Sequence, residues 1–197
     1  MRKVTIFLLV LFSISLSAKE INKEISYKSY DQAKSSKNRL QFIVESTKAG
    51  LFSSDVDGYV KVFSYSADLD DKNMILRNMK IVFNPKTMDT DDESRDKKLH
   101  NLCMSYKKYP QVEINVQGPM FLKTSKPQKY KGTVKIRGKV KPFEIELLSE
   151  NKNSEYIMIK GNANWSLKGM EIPDPSIFIA KLSDEIRIQI SIKEKIK

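Results

Sequence analysis

Apolar side chains alternate with polar ones through most of this chain, the period of a strand with one buried face. Leu40, Phe42 and Val44 share a face, with Gln41 and Glu45 opposite, and Lys48-Ala49-Gly50 reads as a turn. Gly58 to Tyr65 is rich in aromatic and β-branched residues and predicts a second strand, closed by a polar turn at Asp68 to Asn73. Ile75, Met79, Ile81 and Phe83 then share a face until Asn84-Pro85 ends the run. Val112, Ile114 and Val116 form another strand. Tyr130 to Ile136 and Val140 to Leu147, which carries Phe143 and Ile145, form a hairpin about Arg137-Gly138, where Gly138 is free to take positive φ. Tyr156 to Lys160 continues into Asn162 to Leu167 with Trp165, and Gly169 to Pro175 is a loop. Ile186, Ile188, Ile190 and Ile192 alternate with Arg187, Gln189, Ser191 and Lys193, the clearest strand of all. Ile21 to Lys37 is polar and fits either a flexible entry or a short first strand.

One segment breaks the period. Between Asp89 and Tyr109, Leu99, Leu102, Cys103 and Tyr106 fall at i, i+3, i+4 and i+7, a helical stripe. Thr90 with Glu93 predicts a capping box, acids crowd the start, lysines the end, and Pro110 stops the run. A helix is expected over Asp92–Tyr106. Short strands about ten residues apart with one helix between them predict an all-β sandwich or antiparallel barrel. Polar outer faces favour the barrel, which also removes the sheet edges.

The first residues change the picture of where the domain begins. Arg2 and Lys3 precede an apolar run from Val4 to Leu16, then small residues at Ser17 and Ala18. That order is the pattern of a secretory signal peptide, here residues 1–18, leaving a single domain at 19–197 and placing the product in the periplasm or outside the cell. The net charge of +11 falls to +9 once Arg2 and Lys3 are removed, which favours an anionic membrane surface as a partner. Lysines spread evenly rather than interleaved with aromatics argue against nucleic acid.

Catalytic chemistry finds little to stand on. His100 is the only histidine, so a three-histidine metal site cannot be assembled. Cys103 stands three residues on and could meet it, but it also completes the apolar stripe; as the only cysteine it forms no internal disulfide and could pair between two copies in a homodimer. The acids from Asp89 to Asp96 lack the mid-loop glycine and distant glutamate of an EF-hand, and the helix start accounts for them. No enzyme, metal or cofactor is expected.

Five ordered stretches carry a resemblance. Thr90, Arg95, Asp96 and Leu99 match a T-x-x-x-x-RD-x-x-L helix entry, and Tyr109-Pro110-Gln111-Val112-Glu113-Ile114 is similar to the strand that follows it. Gly132-Thr133-Val134-Lys135-Ile136-Arg137-Gly138-Lys139-Val140-Lys141-Pro142-Phe143 matches a GTLTI-x-G-x-TKPV hairpin. Glu45 to Gly50 with Phe52 and Gly58 resembles a first hairpin, and Leu182 to Ile186 a closing L-x-DEV. Together these resemble the YceI-like family, exported bacterial proteins. The resemblance implies an eight-stranded lipocalin-like barrel with an amphipathic helix between strands, holding a polyisoprenoid or a similar amphiphile such as an isoprenoid quinone. Thr90, Arg95, Asp96, Gly132, Gly138 and Pro142 would then be structural motif residues. The interior wall would come from Phe42 and Val44, from Met79, Ile81 and Phe83, and from Leu99 and Leu102. It would continue through Ile114 and Val116, Ile136, Phe143 and Ile145, Trp165, and Ile188 with Ile190. Lys48 or Lys141 would meet a head group. Family members often carry histidine where Lys98 and Arg137 stand here. Inward faces alone leave a second reading open: an exported structural or surface-interaction protein whose barrel is filled by its own side chains.

Overall fold

The computed structural model describes residues 18–124, 126–151, 155–177 and 180–196; the signal-peptide reading falls, but for Ala18, outside them. The strands are β1 (Lys19–Ser26), β2 (Arg39–Lys48), β3 (Phe52–Val60), β4 (Val62–Asp70), β5 (Ile75–Phe83), β6 (Met88–Asp89), β7 (Val112–Val116), β8 (Met120–Phe121), β9 (Gln128–Ile136), β10 (Lys139–Asn151), β11 (Tyr156–Ser166) and β12 (Ala180–Lys195). Helix α1 covers Tyr30–Ser35 and α2 Glu93–Lys98. All strands join one antiparallel sheet in the order β1-β4-β5-β7-β9-β10-β11-β12-β2-β3-β6, with β8 beside β5.

Twelve strands stand where eight were expected, and the difference lies in four broken staves: β1 with β2, β3 with β4, β5 with β6, and β7 with β8, which follow one another along β5. β3 and β4 are one run of chain interrupted only at Lys61, whose N–H donates to the Thr87 carbonyl and whose carbonyl accepts from the Tyr27 N–H. On one edge of this run lie β2 against β3 and β1 against β4; on the other lie β6 against β3 and β5 against β4. β5 and β6 are separated by a 3-10 turn at Pro85–Thr87, which the proline ring forces by removing a donor. β1 and β2 are separated by α1. Since β12 pairs with β2, the sheet returns on itself as eight staves, the antiparallel barrel arrangement expected.

Two-residue alternation built these strands as read. The hairpin at Arg137 (φ 49°) and Gly138 (φ 75°) has positive φ at both central positions, the pattern of a tight two-residue turn whose twist suits the flanking strands. Pro142 lies on β10 opposite Thr133, ahead of the stretch from Glu146 where β10 also pairs with β11, so its missing donor costs little.

α1 resolves the undecided entry segment. Ser29 caps it by accepting from the Gln32 N–H, and it lies on the outside of β2 and β3. There Tyr30 and Ala33 cover Tyr59, the two rings meeting edge to face at 5.2 Å. Polar period-2 patterning gives no hint of an apolar patch on the outer wall.

The barrel interior divides along its axis. At one end Tyr65, Leu69, Leu76, Ile157, Ile159 and Ile192 are wholly buried and meet at the centre. The other end is hollow.

Candidate functional site

A cavity of about 110 Å³ occupies the hollow end, and its exposed wall is entirely apolar. Successive inward positions on single strands show where it stops. On β7, Val112 and Ile114 line it while Val116 lies below; on β5 Phe83 lines it while Ile81 and Met79 lie below. On β12 Ile188 lines it and Ile190 does not. Of the anticipated interior residues, the structure brings Phe42, Val44, Phe83, Leu99, Ile114, Ile136, Trp165 and Ile188 to the cavity. Met79, Ile81, Val116, Phe143, Ile145 and Ile190 are buried in the packed end.

Glycines shape both levels. Phe42 faces Gly58 across the β2–β3 pair, and a Cβ on Gly58 would fall 2.1 Å from the Phe42 ring. Phe143 faces Gly132 in the same way, where a Cβ would meet both its ring and the Asn115 carbonyl at 2.7 Å. Each ring therefore packs against the bare backbone of the neighbouring strand. Phe143 in turn meets Trp165 edge to face, with centroids 5.6 Å apart, so this pair forms part of the floor.

The segment over the mouth corrects the helix expectation. α2 ends at Lys98, and Leu99–Cys103 is a π-helical turn in which the Met104 N–H donates to the Leu99 carbonyl at 2.9 Å. Widening each turn carries positions i+4 and i+5, rather than i+3, onto the face of residue i. Leu99, Cys103 and Met104 consequently line the cavity, and Leu102 turns outward with 47% of its surface exposed. The capping box moves too. Asp91 takes a left-handed φ of 61°, and Asp92 becomes the cap, accepting from the Arg95 N–H at 2.9 Å. Thr90, buried, instead donates its N–H and hydroxyl to Asp96 at 2.9 and 2.7 Å, while Arg95 donates to the Thr90 carbonyl at 2.7 Å. The motif residues Thr90, Arg95 and Asp96 thus form one clasp holding the lid.

Two polar side chains, Arg137 and His100, tie the lid to its surroundings. Arg137 donates to the Cys103 carbonyl at 2.7 Å and to the Ser105 hydroxyl at 3.0 Å, tying the end of the π turn to the β9–β10 hairpin. His100 sets its Nε2 against the Met88 carbonyl at 2.7 Å, on the lid's other flank. Burial pushes the Cys103 thiol up to about 11, with Arg137 opposing. A neutral thiol facing an apolar cavity behaves as one more apolar wall group.

Phe42, Val44, Leu99, Pro175 and Leu182 are shared with a second, wider space of about 400 Å³. This is the mouth, where charged side chains join apolar ones: Lys48, Arg95, Lys98, Asp55 and Asp57 reach it. Asp55 is taken up by Arg187 at 2.6 Å. Lys48 and Lys98 have no ion-pair partner among the described residues. Lys141, the other head-group candidate, is instead held with Lys139 by Glu171, whose carboxyl these two lysines draw down to about 2. Among the described residues no three His, Cys, Asp or Glu side chains converge to hold a metal.

Sequence reasoning missed Val112 and Cys103 as wall residues although each sat on a recognised face, and missed Leu182, which stood only in the closing motif. Met88, Met104, Ile172 and Pro175 come from irregular segments and carried no periodic signal. An apolar tunnel that opens through a charged rim can take an amphiphile, with its tail inside and its head at the mouth.

The YceI-like domain model matches residues 30–193. The chain belongs to the YceI-like family. No curated protein matches it. Burkholderia cenocepacia BcnA superposes with a TM-score of 0.63 at 16% identity, over 84% of this chain and 99% of that one. A polyisoprenoid binding domain from Saccharophagus degradans, implicated in plant cell wall breakdown, gives 0.59 at 10% identity over 80% and 93%. A Campylobacter jejuni YceI protein gives 0.62 at 21% identity over 74% and 87%. These likenesses establish the shared lipocalin-like fold of this YceI-like chain.

Proposed function

We propose that this YceI-like protein is an exported carrier or reservoir, acting in the periplasm, for a polyisoprenoid lipid, isoprenoid quinones included. The observation that carries the reading is the continuity of the wholly apolar cavity with a charged mouth. The relative from Saccharophagus degradans, which binds a polyisoprenoid, supports the ligand class. A tail gains about 0.8 kcal/mol per buried CH₂, so a few isoprene units suffice for useful affinity. Lys48 and Lys98 suit a phosphate or a quinone oxygen at the rim. The filled-core alternative describes the Tyr65–Ile192 end of the barrel and leaves the hollow end without a role.

Trp165 is the only tryptophan and stands in the cavity wall, so it reports occupancy directly. Titration with a short-chain ubiquinone analogue is expected to quench its emission saturably at one equivalent. An unsaturable or absent response would remove the carrier reading.

A further inference from the structure

We infer that the rim of the mouth is a docking surface for an anionic phospholipid bilayer, at which the barrel exchanges its ligand; the exchange role rests on the carrier reading above, whereas the docking itself does not. Of the large apolar side chains that stand out in solvent, the two most exposed are neighbours on the rim. Leu51 is 79% exposed and Phe52 73%, at the tip of the β2–β3 hairpin, and Ile177 is 47% exposed on the neighbouring strand entry. Register joins them: Phe52 pairs with Lys48, Lys48 pairs with Ala180 of β12, and Ala180 bridges back to Ile177. Lys48, Ile177 and Ala180 also line the mouth, so the patch is continuous with the way in.

A hairpin tip has no packing reason to carry Leu and Phe where turns are ordinarily polar. Leu51 and Phe52 line neither the cavity nor its mouth, so ligand contact does not account for them. Cations surround the patch: Lys48, Lys98 and the exposed Lys181, none with an ion-pair partner among the described residues, together with Arg95. Of the mouth's two acids, Asp55 is neutralised by Arg187. Apolar side chains that enter the headgroup layer, ringed by basic ones that meet anionic lipid, are the two components of interfacial binding. A bilayer so placed faces the open end of the tunnel, and an isoprenoid tail can pass between them without crossing water.

The test is flotation of the purified protein with phosphatidylcholine vesicles, with and without phosphatidylglycerol and free of any isoprenoid. Binding is expected to vesicles containing phosphatidylglycerol and to fade in about 1 M salt, where the Debye length is ~3 Å. The double variant Leu51→Ser, Phe52→Ser is expected to bind about tenfold or more weakly, from the loss of two inserting side chains. The same variant should keep the wild-type melting curve and the quenching of Trp165 by soluble ubiquinone analogue, which separates failure of docking from failure of ligand binding. Equal flotation of variant and wild type, or no flotation with anionic vesicles, would overturn the inference. So would a wild-type dimer in solution that the double variant abolishes, since the patch would then serve a second copy.

Discussion

Val112 and Val116 lie four residues apart on one strand, point to the same interior and are equally buried, yet only Val112 borders the cavity. The same substitution to phenylalanine at each position therefore separates a hollow barrel end from a filled one. Phenylalanine adds about four carbons to the valine side chain. At Val116 they must displace neighbours such as Met79, its partner across β5, and overpacking of this kind costs about 1–3 kcal/mol. For a domain of this size that lowers Tm by roughly 2–12 °C. At Val112 the ring enters empty space, so Tm should change by no more than a few degrees. It then occupies the volume of about four tail carbons, worth about 3 kcal/mol at ~0.8 kcal/mol each, or a loss of roughly 100-fold in ligand affinity. Circular dichroism melting and quenching of Trp165 measure the two effects on the same samples. Equal melting penalties at the two positions would mean that the interior is uniformly packed, and the division of the barrel would be wrong.

Other parts of the account make separate claims. Asp96→Ala should cost about 1–3 kcal/mol by leaving the buried Thr90 N–H and hydroxyl without an acceptor, whereas Asp96→Asn, which keeps an oxygen, should cost less; urea unfolding decides between them. Cys103 should react with iodoacetamide at neutral pH roughly 100-fold more slowly than a free thiol of ordinary pKa 9.0, because so little of it is thiolate; labelling at the rate of glutathione would contradict this. Burial, then the neighbouring Asp57 carboxylate, pushes the Tyr59 hydroxyl from 10.0 up to about 12. The folded state holds this proton more tightly than the unfolded state, so the stability it contributes is complete below pH 10 and is lost as pH rises towards 12. The urea midpoint should fall across that window, and Tyr59→Phe should flatten the fall.

Legibility tracked the source of each constraint. Strands such as β7 and β12 were readable because half-buried sheet imposes strict alternation, and the Arg137-Gly138 turn because its φ angles restrict the residues it accepts. The break at Lys61 was not: it depends on Thr87 and Tyr27, 26 and 34 residues away in sequence, offering an acceptor and a donor there. The lid was readable as a helix start and misread in its last turn. A stripe at i, i+3 and i+4 assumes 3.6 residues per turn, and the π turn moves Leu102 out and Met104 in. α1 covers an outer face that a one-sided sheet model leaves to solvent. Among the site residues, alternation named both compartments of the barrel alike. Whether an inward residue meets a neighbour or a void depends on strand level along the axis, which Gly58 and Gly132 set through the rings of Phe42 and Phe143, and a single strand's pattern holds no record of that level.

The central claim is that the hollow end of this barrel carries an isoprenoid tail. Protein purified from its native host, extracted with organic solvent and analysed by mass spectrometry, tests it most directly. A single class of isoprenoid lipid close to one equivalent per chain is the predicted result. No such lipid in the extract, together with no uptake when isoprenoids are added, would contradict it.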